Sequence, residues 1–299
     1  MESVDCGVQH DTLLYQNRDT EAAITYNMLC ALRDYPMTDE KLVKPVRHLL
    51  GLSGGKDSSA LAIYLRDKVP EMEYFFADTG AELPETLAYI DMLEDYLGKP
   101  VERLNADRDF DYYLKLHNNF LPSPHQRWCT INLKLLPFEK FAGDDNIISY
   151  IAIRADEPSR SGYLSTKKNI KTCFPFKEDR INKEGVTNIL ESHGLGLPDY
   201  YKWRSRSGCY FCFFQRLEEW AGLLKNHPDL FEKAKNYEKT DEITGKKYTW
   251  NQTGTLTELL SKYENSKYIS KRQKVSKRLI DSIVYENNKD DDGCLICMI

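Results

Sequence analysis

Short apolar runs alternate with stretches of helical periodicity through the first half of the chain. The run at residues 46–52 suits a buried strand, 73–77 is a second strand, and 101–104 and 147–153 complete the set of strand candidates. Apolar residues recur at helical spacing in 58–68, 84–97, 110–116 and 133–141. Strands that alternate with helices of this length predict an α/β fold, with a parallel twisted sheet covered by helices on both faces.

The regions outside this pattern differ from it. Residues 1–45 are polar and mixed, with one predicted helix at 21–33. After about residue 160, turn residues, aromatic rings and basic side chains dominate up to residue 214, before helical patterns return at 217–224 and 230–237. We therefore expect an N-terminal helical segment (1–45), a sheet domain with a Cys-containing end (46–215), a helical C-terminal region (216–285) and a flexible tail (286–299).

Composition places the chain among ordinary soluble proteins. It has 299 residues, of which 41% are hydrophobic and 29% charged, and its net charge is −5. That charge gives no support for a protein wrapped wholly around nucleic acid. We find no secretory signal and no apolar run near the roughly 18 residues of a membrane helix, so we expect a cytoplasmic protein without a membrane partner. Its eight cysteines should then be reduced, as metal ligands, redox groups or core residues.

A glycine-containing loop joins the first predicted strand to the first helix. Glycines let the backbone approach phosphate oxygens, and the helix N-terminus presents free N–H groups to them. The lysine adds a positive charge, the serines add hydroxyl donors, and the aspartate can orient Mg²⁺ or cap the helix. Leu50 and Asp57 stand where a Walker A loop needs glycine and Ser or Thr, which excludes that loop. The alternative is a plain strand-to-helix turn. The loop consists of Ser53, Gly54, Gly55, Lys56, Asp57 and Ser58.

This loop resembles the PP-loop of the N-type ATP pyrophosphatases. Three further segments, in the same order along the chain, resemble the phosphoadenosine phosphosulfate (PAPS) reductase-like branch of that family. Ala152 and Pro158 depart from its pattern, where Gly and Ser are usual. The resemblance covers about residues 46–215. Its segments are Asp78-Thr79-Gly80 with Glu85-Thr86, then Arg127-Trp128-Cys129-Thr130 with Lys134 and Pro137, then Ile153-Arg154-Ala155-Asp156-Glu157 with Arg160.

The resemblance implies an adenine nucleotide alpha hydrolase-like fold with a nucleotide cleft. The PP-loop would hold the pyrophosphate of ATP, with Asp78 and Thr79 near the nucleotide. Arg154 and Arg160 would present forked cations to phosphate or sulfate oxygens, or would form surface salt bridges with the neighbouring acids. The catalytic residues would be Lys56, Asp57 and Arg154, which would stabilise the leaving pyrophosphate with Mg²⁺ as Lewis acid.

Four cysteines are candidate metal ligands. Cys209 and Cys212 form a C-x-x-C pair, while Cys129 and Cys173 precede it. Together they could bind Zn²⁺ or an iron–sulfur cluster of the 4Fe-4S type, and the resemblance extends to DNA-phosphorothioation enzymes that carry such a cluster. The alternative is a set of buried thiols in an aromatic patch. The tail pair Cys294 and Cys297 lacks the Glu-Cys-Gly-x-His pattern of sulfonucleotide reductases, so we expect an inert tail rather than a redox pair.

Two basic segments raise the question of nucleic acid. Residues 200–206 interleave aromatic rings with lysine and arginine, and seven basic residues fall between 262 and 278, where we expect a helix. Such surfaces suit nucleic-acid backbones and stacked bases. The alternative is a solvated helix face together with a lid over the nucleotide.

Three functions follow from these expectations. The first is an ATP pyrophosphatase that adenylates an acceptor for sulfur transfer or nucleic-acid modification, with a sulfur-donor or modification-complex protein as a partner. The second is a PAPS or adenosine phosphosulfate reductase that uses a cysteine such as Cys294 as nucleophile. The third is a non-catalytic nucleotide-binding subunit of a defence or modification complex. The complete loop favours the first, because sulfonucleotide reductases of the family have degenerate loops and release no pyrophosphate.

Overall fold

The fold was analysed in a computed structural model. It describes residues 45–162, 165–240, 242, 245–251 and 253–273. The predicted helix at 21–33, the tail, Cys294 and Cys297 lie outside these residues, as do the last positions of the predicted helix at 262–278.

Five parallel strands form the central sheet, in the order β3-β2-β1-β4-β5. The order reverses direction between β1 and β4, which are hydrogen-bonded neighbours although far apart in sequence. A two-stranded antiparallel hairpin lies outside this sheet. The strands are β1 (Arg47–Gly51), β2 (Glu73–Asp78), β3 (Val101–Asn105), β4 (Ile147–Tyr150), β5 (Ile170–Cys173), and in the hairpin β6 (Lys239–Thr240) and β7 (Lys247–Tyr248).

Helices follow or separate the strands along the chain. One of them, α4, is composite, with a π-helical segment between two α-helical ones. A 3₁₀ turn covers Asp199–Lys202. The helices are α1 (Lys56–Leu65), α2 (Pro84–Leu97), α3 (Phe110–Leu116), α4 (Trp128–Thr130, Ile131–Leu135 and Leu136–Ala142), α5 (Pro175–Glu178), α6 (Lys183–Ser192), α7 (Leu217–Asn226), α8 (Pro228–Asn236) and α9 (Leu256–Gln273).

Alternate strand residues pack on opposite faces of the sheet, each against helices. Leu50, Phe76 and Ile148 belong to a core that includes buried residues of α1, α2 and α6. Their sequence neighbours Leu49, Phe75 and Ile147 belong to another core, with Phe138 and Ala142 of α4. This alternation is the period of two that a pleated strand imposes. The predicted α/β fold with helices on both faces is therefore confirmed.

A third core lies between the sheet domain and the C-terminal helices. Residues that precede α4 or lie in it, such as Leu83, Phe110 and Trp128, pack in one cluster with Trp220 of α7 and Trp250. The aromatic rings of Phe110 and Phe211 are 4.4 Å apart between centroids. The helical extension is thus joined to the sheet domain by shared apolar burial, the dominant favourable term in folding.

The structure corrects two predicted elements. The predicted strand 147–153 ends at Tyr150. Residues Ile151–Ile153 stay buried, but the backbone N–H of Ile153 donates to the carbonyl oxygen of Ile151, so the chain turns there. An apolar run indicates burial, and here the buried residues continue beyond the end of the strand. The predicted helix 133–141 begins earlier, at Trp128, and its π-helical segment precedes Pro137, which has no N–H to donate.

Two further elements, which we did not predict from the sequence, lie after residue 160, where turn residues, aromatic rings and basic side chains dominate the composition. They are β5, an edge strand of four residues, and α6, which buries only Val186 and Leu190. The Asn182 side chain caps α6 by accepting a hydrogen bond from Gly185 N at 3.0 Å. β5 has only four residues, so it gives little periodic signal.

A further test concerns membranes. Among the helices of the described residues, none has the length and apolarity that a bilayer crossing requires.

Candidate functional site

The candidate site lies where the sheet reverses its strand order. β1 and β4 are adjacent and parallel, so the loop after β1 and the segment after β4 emerge side by side at the carboxyl edge. Open α/β sheets bind ligands in the crevice at such a switch point. Ser53, Asp78 and Arg154, which follow β1, end β2 and follow β4, all lie at this edge.

The two glycines of the loop are required by their surroundings. Gly54 has φ +68°, and a Cβ there would lie 2.6 Å from Thr86 Cγ2. A Cβ on Gly55 would lie 2.7 Å from Ser207 Oγ. Real Cβ atoms essentially never lie this close to another heavy atom, so neither position accepts a side chain without a shift of its neighbours.

Serine hydroxyls tie the loop to itself and to a distant segment. Ser53 Oγ lies 3.1 Å from Ser58 Oγ, whose oxygen also accepts a hydrogen bond from Ser53 N at 3.1 Å. Ser207 Oγ donates to Ser53 Oγ at 3.1 Å. The predicted loop residues Ser53 and Ser58 are therefore brought together, and Ser207 joins them.

The N-terminus of α1 faces this loop without a side-chain cap. Gly55 occupies the N-cap position, and it has no side chain to accept a hydrogen bond from the first turn. Lys56 N donates to Tyr201 Oη at 3.1 Å. An uncapped helix start directly after two glycines provides the backbone donors of an anion site.

Two consecutive tyrosines hold the loop from outside it. Tyr200 Oη donates to the carbonyl oxygen of Gly54 at 2.7 Å, and the Tyr200 ring is fully buried. The Tyr201 ring stacks on Tyr200 with centroids 4.8 Å apart, and Lys56 Nζ lies 5.4 Å from the Tyr201 centroid. Burial raises the pKa of Tyr201 to about 12, so this hydroxyl stays neutral at physiological pH.

These contacts place much of the basic aromatic segment in the interior. Arg204 is only 2% exposed, and its guanidinium donates to the carbonyl oxygens of Gly208 and Cys209. Of the two interpretations of residues 200–206, the buried positions of Tyr200 and Arg204 favour a cover over the loop rather than a nucleic-acid surface.

We expect Tyr200→Phe to lower the free energy of unfolding by about 1–3 kcal/mol, because the buried carbonyl of Gly54 loses its donor. Chemical denaturation measures this loss, and inorganic pyrophosphate titration measures the loop's affinity for anions. Tyr89→Phe is the matched control, since Tyr89 Oη donates to the carbonyl of Gly196 at 3.1 Å. Equal pyrophosphate affinity in both variants would contradict a role for Tyr200 in shaping the loop.

Arg154 is the centre of an ion-pair network beside the loop. Its guanidinium lies 3.0 Å from Asp57 Oδ1, 2.9 Å from Asp156 Oδ1 and 3.4 Å from Glu157 Oε1. Lys56 Nζ approaches the other oxygen of Asp57 at 3.4 Å. Although burial of Arg154 opposes its charge, the Asp57 carboxylate raises the arginine pKa above its ordinary value. The three predicted catalytic residues therefore form one contact network.

Arg160 enters the same network through one acid. Arg160 Nη1 lies 2.8 Å from Glu157 Oε1, the oxygen that Arg154 also approaches. The Lys177 ammonium of α5 donates to the Arg160 carbonyl oxygen. Both predicted arginines thus make the ion pairs that the alternative interpretation named, and Arg154 in addition contacts the loop itself.

The end of β2 contributes an acid that the sequence did not single out. Glu82 Oε1 accepts from Thr79 Oγ1 at 2.6 Å, and Glu82 Oε2 accepts from Thr79 N at 3.2 Å. Burial raises the pKa of Glu82, with the nearby Asp78 carboxylate acting in the same direction. Asp78 itself accepts from Gly80 N at 2.9 Å, so Asp78 and Thr79 form a tight turn at the carboxyl edge.

Three of the four predicted metal-binding cysteines line one small cavity of about 30 Å³. The Thr79 hydroxyl donates to Glu82 and lies 3.3 Å from Cys209 Sγ, so the Cys209 thiol donates to Thr79. Burial raises the pKa of Cys209 to about 12. The lining residues are Thr79, Pro122, Cys129, Thr130, Leu133, Lys134, Cys209, Phe211, Cys212, Phe213 and Phe214.

Cys173 lies apart from that cavity. It ends β5, where it packs against the core shared with α1 and α6, and burial raises its pKa to about 11. Within the part of the chain that the structure describes, no group of three or more His, Cys, Asp or Glu side chains is placed to hold a metal ion. The residues present therefore do not fit the predicted four-cysteine set for zinc or an iron–sulfur cluster.

Sequence reasoning missed the role of several site residues. Ser207 and Glu82 belong to no repeated pattern, and their contacts span the fold. Tyr200 and Tyr201 were noticed only as aromatic neighbours of basic residues.

Comparison with known proteins shows which family model and which relatives the chain is similar to. Residues 47–175 match the family model of the phosphoadenosine phosphosulfate reductase domain. The chain is 29% identical over 212 residues to an uncharacterised protein of Methanocaldococcus jannaschii, covering 67% of this chain and 42% of that relative. It is 26% identical over 198 residues to an uncharacterised nin region protein of Escherichia phage lambda, covering 55% and 65% respectively. The matched stretch thus spans less than two thirds of either relative.

Solved structures give a distant likeness. The phosphoadenylyl-sulfate (PAPS) reductase from Candida auris, in a phosphate complex, is similar with a TM-score of 0.45 and 9% identity, covering 66% of this chain and 97% of that one. The match of residues 47–175 to the family model and the PP-loop geometry at the switch point agree with each other. Residues 47–175 of the chain are therefore similar to the phosphoadenosine phosphosulfate reductase domain, with the glycine loop at the switch point of the sheet.

Proposed function

We propose that this protein is an ATP pyrophosphatase that adenylates an acceptor. The observation that carries the proposal is the intact PP-loop, in which both glycines are sterically required and the uncapped start of α1 follows them. Such a loop is built to hold a pyrophosphate group. We further propose that the acceptor is adenylated for sulfur transfer or nucleic-acid modification, in the cytoplasm.

The reaction assigns a role to each member of the Arg154 network. A nucleophilic atom of the acceptor attacks the α-phosphorus of ATP, the bond from that phosphorus to the bridging oxygen breaks, and pyrophosphate leaves. Lys56 and the first-turn amides of α1 stabilise the charge that develops on pyrophosphate, while Arg154 presents its forked guanidinium to phosphate oxygens. Asp57 would hold Mg²⁺, which acts as a Lewis acid.

Asp57 has a second role in this proposal, since it already contacts both cations. In the free protein it neutralises Lys56 and Arg154 and keeps them beside the loop. When the polyphosphate binds, the phosphate oxygens replace part of this pairing. Preorganised cations of this kind cost little reorganisation at the moment of reaction.

The test is incubation of the protein with Mg²⁺ and ATP labelled at its α-phosphorus, with nucleic acids, small metabolites and sulfur donors as acceptors. We expect release of pyrophosphate and transfer of labelled AMP, both lost in Lys56→Ala. Lys140→Ala is the control, because Lys140 pairs with Asp107 on the surface, where both side chains are at least 75% exposed.

Two other results would replace the proposal. Sulfite release from PAPS in the presence of thioredoxin, without pyrophosphate release from ATP, would show a sulfonucleotide reductase. ATP binding that depends on Lys56, with no product under any condition, would show a nucleotide-sensing or scaffold subunit.

A further inference from the structure

We propose that the hydroxyl of Tyr201 is a phosphate-binding group of the PP-loop. It accepts a hydrogen bond from the first amide of α1 and donates its own proton to the pyrophosphate group of the bound nucleotide. The assignment rests on the proposed adenylation and deepens it, because it adds a residue to the site that would hold the pyrophosphate of ATP. Tyr201 lies outside residues 47–175, the part of the chain that matches the family model.

One hydrogen bond joins Tyr201 to the start of α1. Lys56 is the first residue of that helix, and its backbone N–H donates to Tyr201 Oη at 3.1 Å. The first N–H groups of a helix have no partner within the helix, and they are the groups that bind an anion at a helix N-terminus. Tyr201 therefore places an oxygen directly on the anion site, either in place of a ligand or as part of the site.

The contacts of its neighbours show that Tyr201 is part of the site. Its ring stacks on Tyr200 with centroids 4.8 Å apart, and the Tyr200 hydroxyl donates to the Gly54 carbonyl at 2.7 Å. Further along the same segment, Ser207 Oγ donates to Ser53 Oγ at 3.1 Å. A ligand that displaced Tyr201 would disturb the stack that holds the loop in shape. We therefore expect Tyr201 to stay in place when phosphate binds.

The hydroxyl of Tyr201 keeps a proton for the ligand. A phenol hydroxyl donates one proton, and the bond from Lys56 N uses only its accepting capacity. The Tyr200 proton, in contrast, is committed to the Gly54 carbonyl. Burial raises the pKa of Tyr201 to about 12, so the proton stays on the oxygen at physiological pH and the hydroxyl does not repel an anion.

The cations of the site lie around the same point. Lys56 Nζ lies 5.4 Å from the centroid of the Tyr201 ring and 3.4 Å from Asp57 Oδ2. Arg154 Nη1 lies 3.0 Å from Asp57 Oδ1. A phosphate that takes over part of the Asp57 pairing would thus meet an ammonium, a guanidinium and the hydroxyl together. In a chain from amide to hydroxyl to phosphate oxygen, each hydrogen bond polarises the next, which strengthens the hydroxyl as a donor.

Calorimetric titration with inorganic pyrophosphate and Mg²⁺, without ATP, tests the assignment. We expect Tyr201→Phe to bind pyrophosphate about tenfold more weakly or worse, because a hydrogen bond to a charged group is lost while the phenylalanine ring still covers the Lys56 amide. Tyr64→Phe is the matched control. Tyr64 is also on α1, and its hydroxyl donates to Asp179 Oδ2 at 2.7 Å, so this variant loses a tyrosine hydrogen bond away from the loop.

A fluorinated side chain separates a donor from a group that only accepts. Fluorine on the ring makes a phenol hydroxyl a better donor and a poorer acceptor. Because the pKa of Tyr201 is about 12, the fluorinated hydroxyl still keeps its proton at neutral pH. We expect the protein with 3-fluorotyrosine at position 201 to bind pyrophosphate at least as tightly as the unmodified protein. This measurement decides the question if Tyr201→Phe does not fold.

Three results would overturn the assignment. The first is unchanged or tighter pyrophosphate binding in folded Tyr201→Phe, and tighter binding would show that Tyr201 occupies the loop in place of a ligand. The second is an equal loss in Tyr64→Phe, and the third is weaker binding by the fluorinated protein. Since affinity is measured without ATP and without an acceptor, failure here and failure of adenylation are distinct results.

Discussion

Gly54→Ala is expected to abolish pyrophosphate release and to lower the free energy of unfolding by about 2–5 kcal/mol. The backbone at Gly54 is left-handed, with φ +68°, and this costs any other residue about 1–2 kcal/mol. The new Cβ would also lie 2.6 Å from Thr86 Cγ2, and overpacking of a buried site adds about 1–3 kcal/mol. To make room for the new Cβ, either the loop or α2 must shift, and both contribute residues to the candidate site.

A matched pair of variants separates these two costs. Gly98 has a similar φ of +63°, but a Cβ there would meet nothing within 4 Å, so Gly98→Ala should show the backbone cost alone and retain activity. Thr86→Ser removes the obstructing methyl group and should partly restore activity and stability to Gly54→Ala. Thermal or chemical denaturation and a pyrophosphate assay measure both effects. Full activity in Gly54→Ala would show that the loop does not bind phosphate in this shape.

Arg154→Lys should reduce kcat/KM for pyrophosphate release by about 10- to 100-fold while the protein stays folded. Lysine keeps the charge but cannot contact Asp57, Asp156 and Glu157 at once, as the guanidinium does. Loss of charged hydrogen bonds in a half-buried network is worth about 1.5–3 kcal/mol. Steady-state kinetics with ATP and Mg²⁺ test this expectation.

Arg103→Lys provides the comparison for Arg154→Lys. Arg103 pairs with Asp91 at 2.6 Å and Glu94 at 3.1 Å, on β3 and remote from the loop. Its replacement should change activity by less than twofold, since surface ion pairs contribute little. Equal losses in the two variants would indicate a general effect of arginine replacement and would remove Arg154 from the proposed mechanism.

The order of strands and helices up to residue 142 was predictable because burial leaves a periodic record. β1 and β2 contain short apolar runs, and the limits of α2 and α3 agree with the pattern to the residue. β5 leaves a weaker record, since an edge strand of four residues needs few apolar positions. α6 does have apolar residues at helical spacing, with Val186 and Leu190 buried, and we did not single it out from the sequence.

The residues of the site were likewise predictable where their contacts are local in sequence and not predictable where their contacts are distant. The loop was predictable because glycines, lysine and serines act within six consecutive residues. The contacts of Tyr200 with Gly54 and of Ser207 with Ser53 join residues about 150 positions apart. No local pattern encodes such a contact, and the same reason explains why Cys173 could not be separated from the other three cysteines before the strands were placed.

The hydroxyl of Tyr200 on the Gly54 carbonyl has a thermodynamic consequence. The loop and the segment that follows Pro198 share these bonds, so the free energy of ordering one depends on the order of the other. A ligand that binds only the ordered loop must, by linkage, favour the ordered segment to the same degree. The family match ends at residue 175, whereas the cooperative unit formed with the loop includes the segment after Pro198.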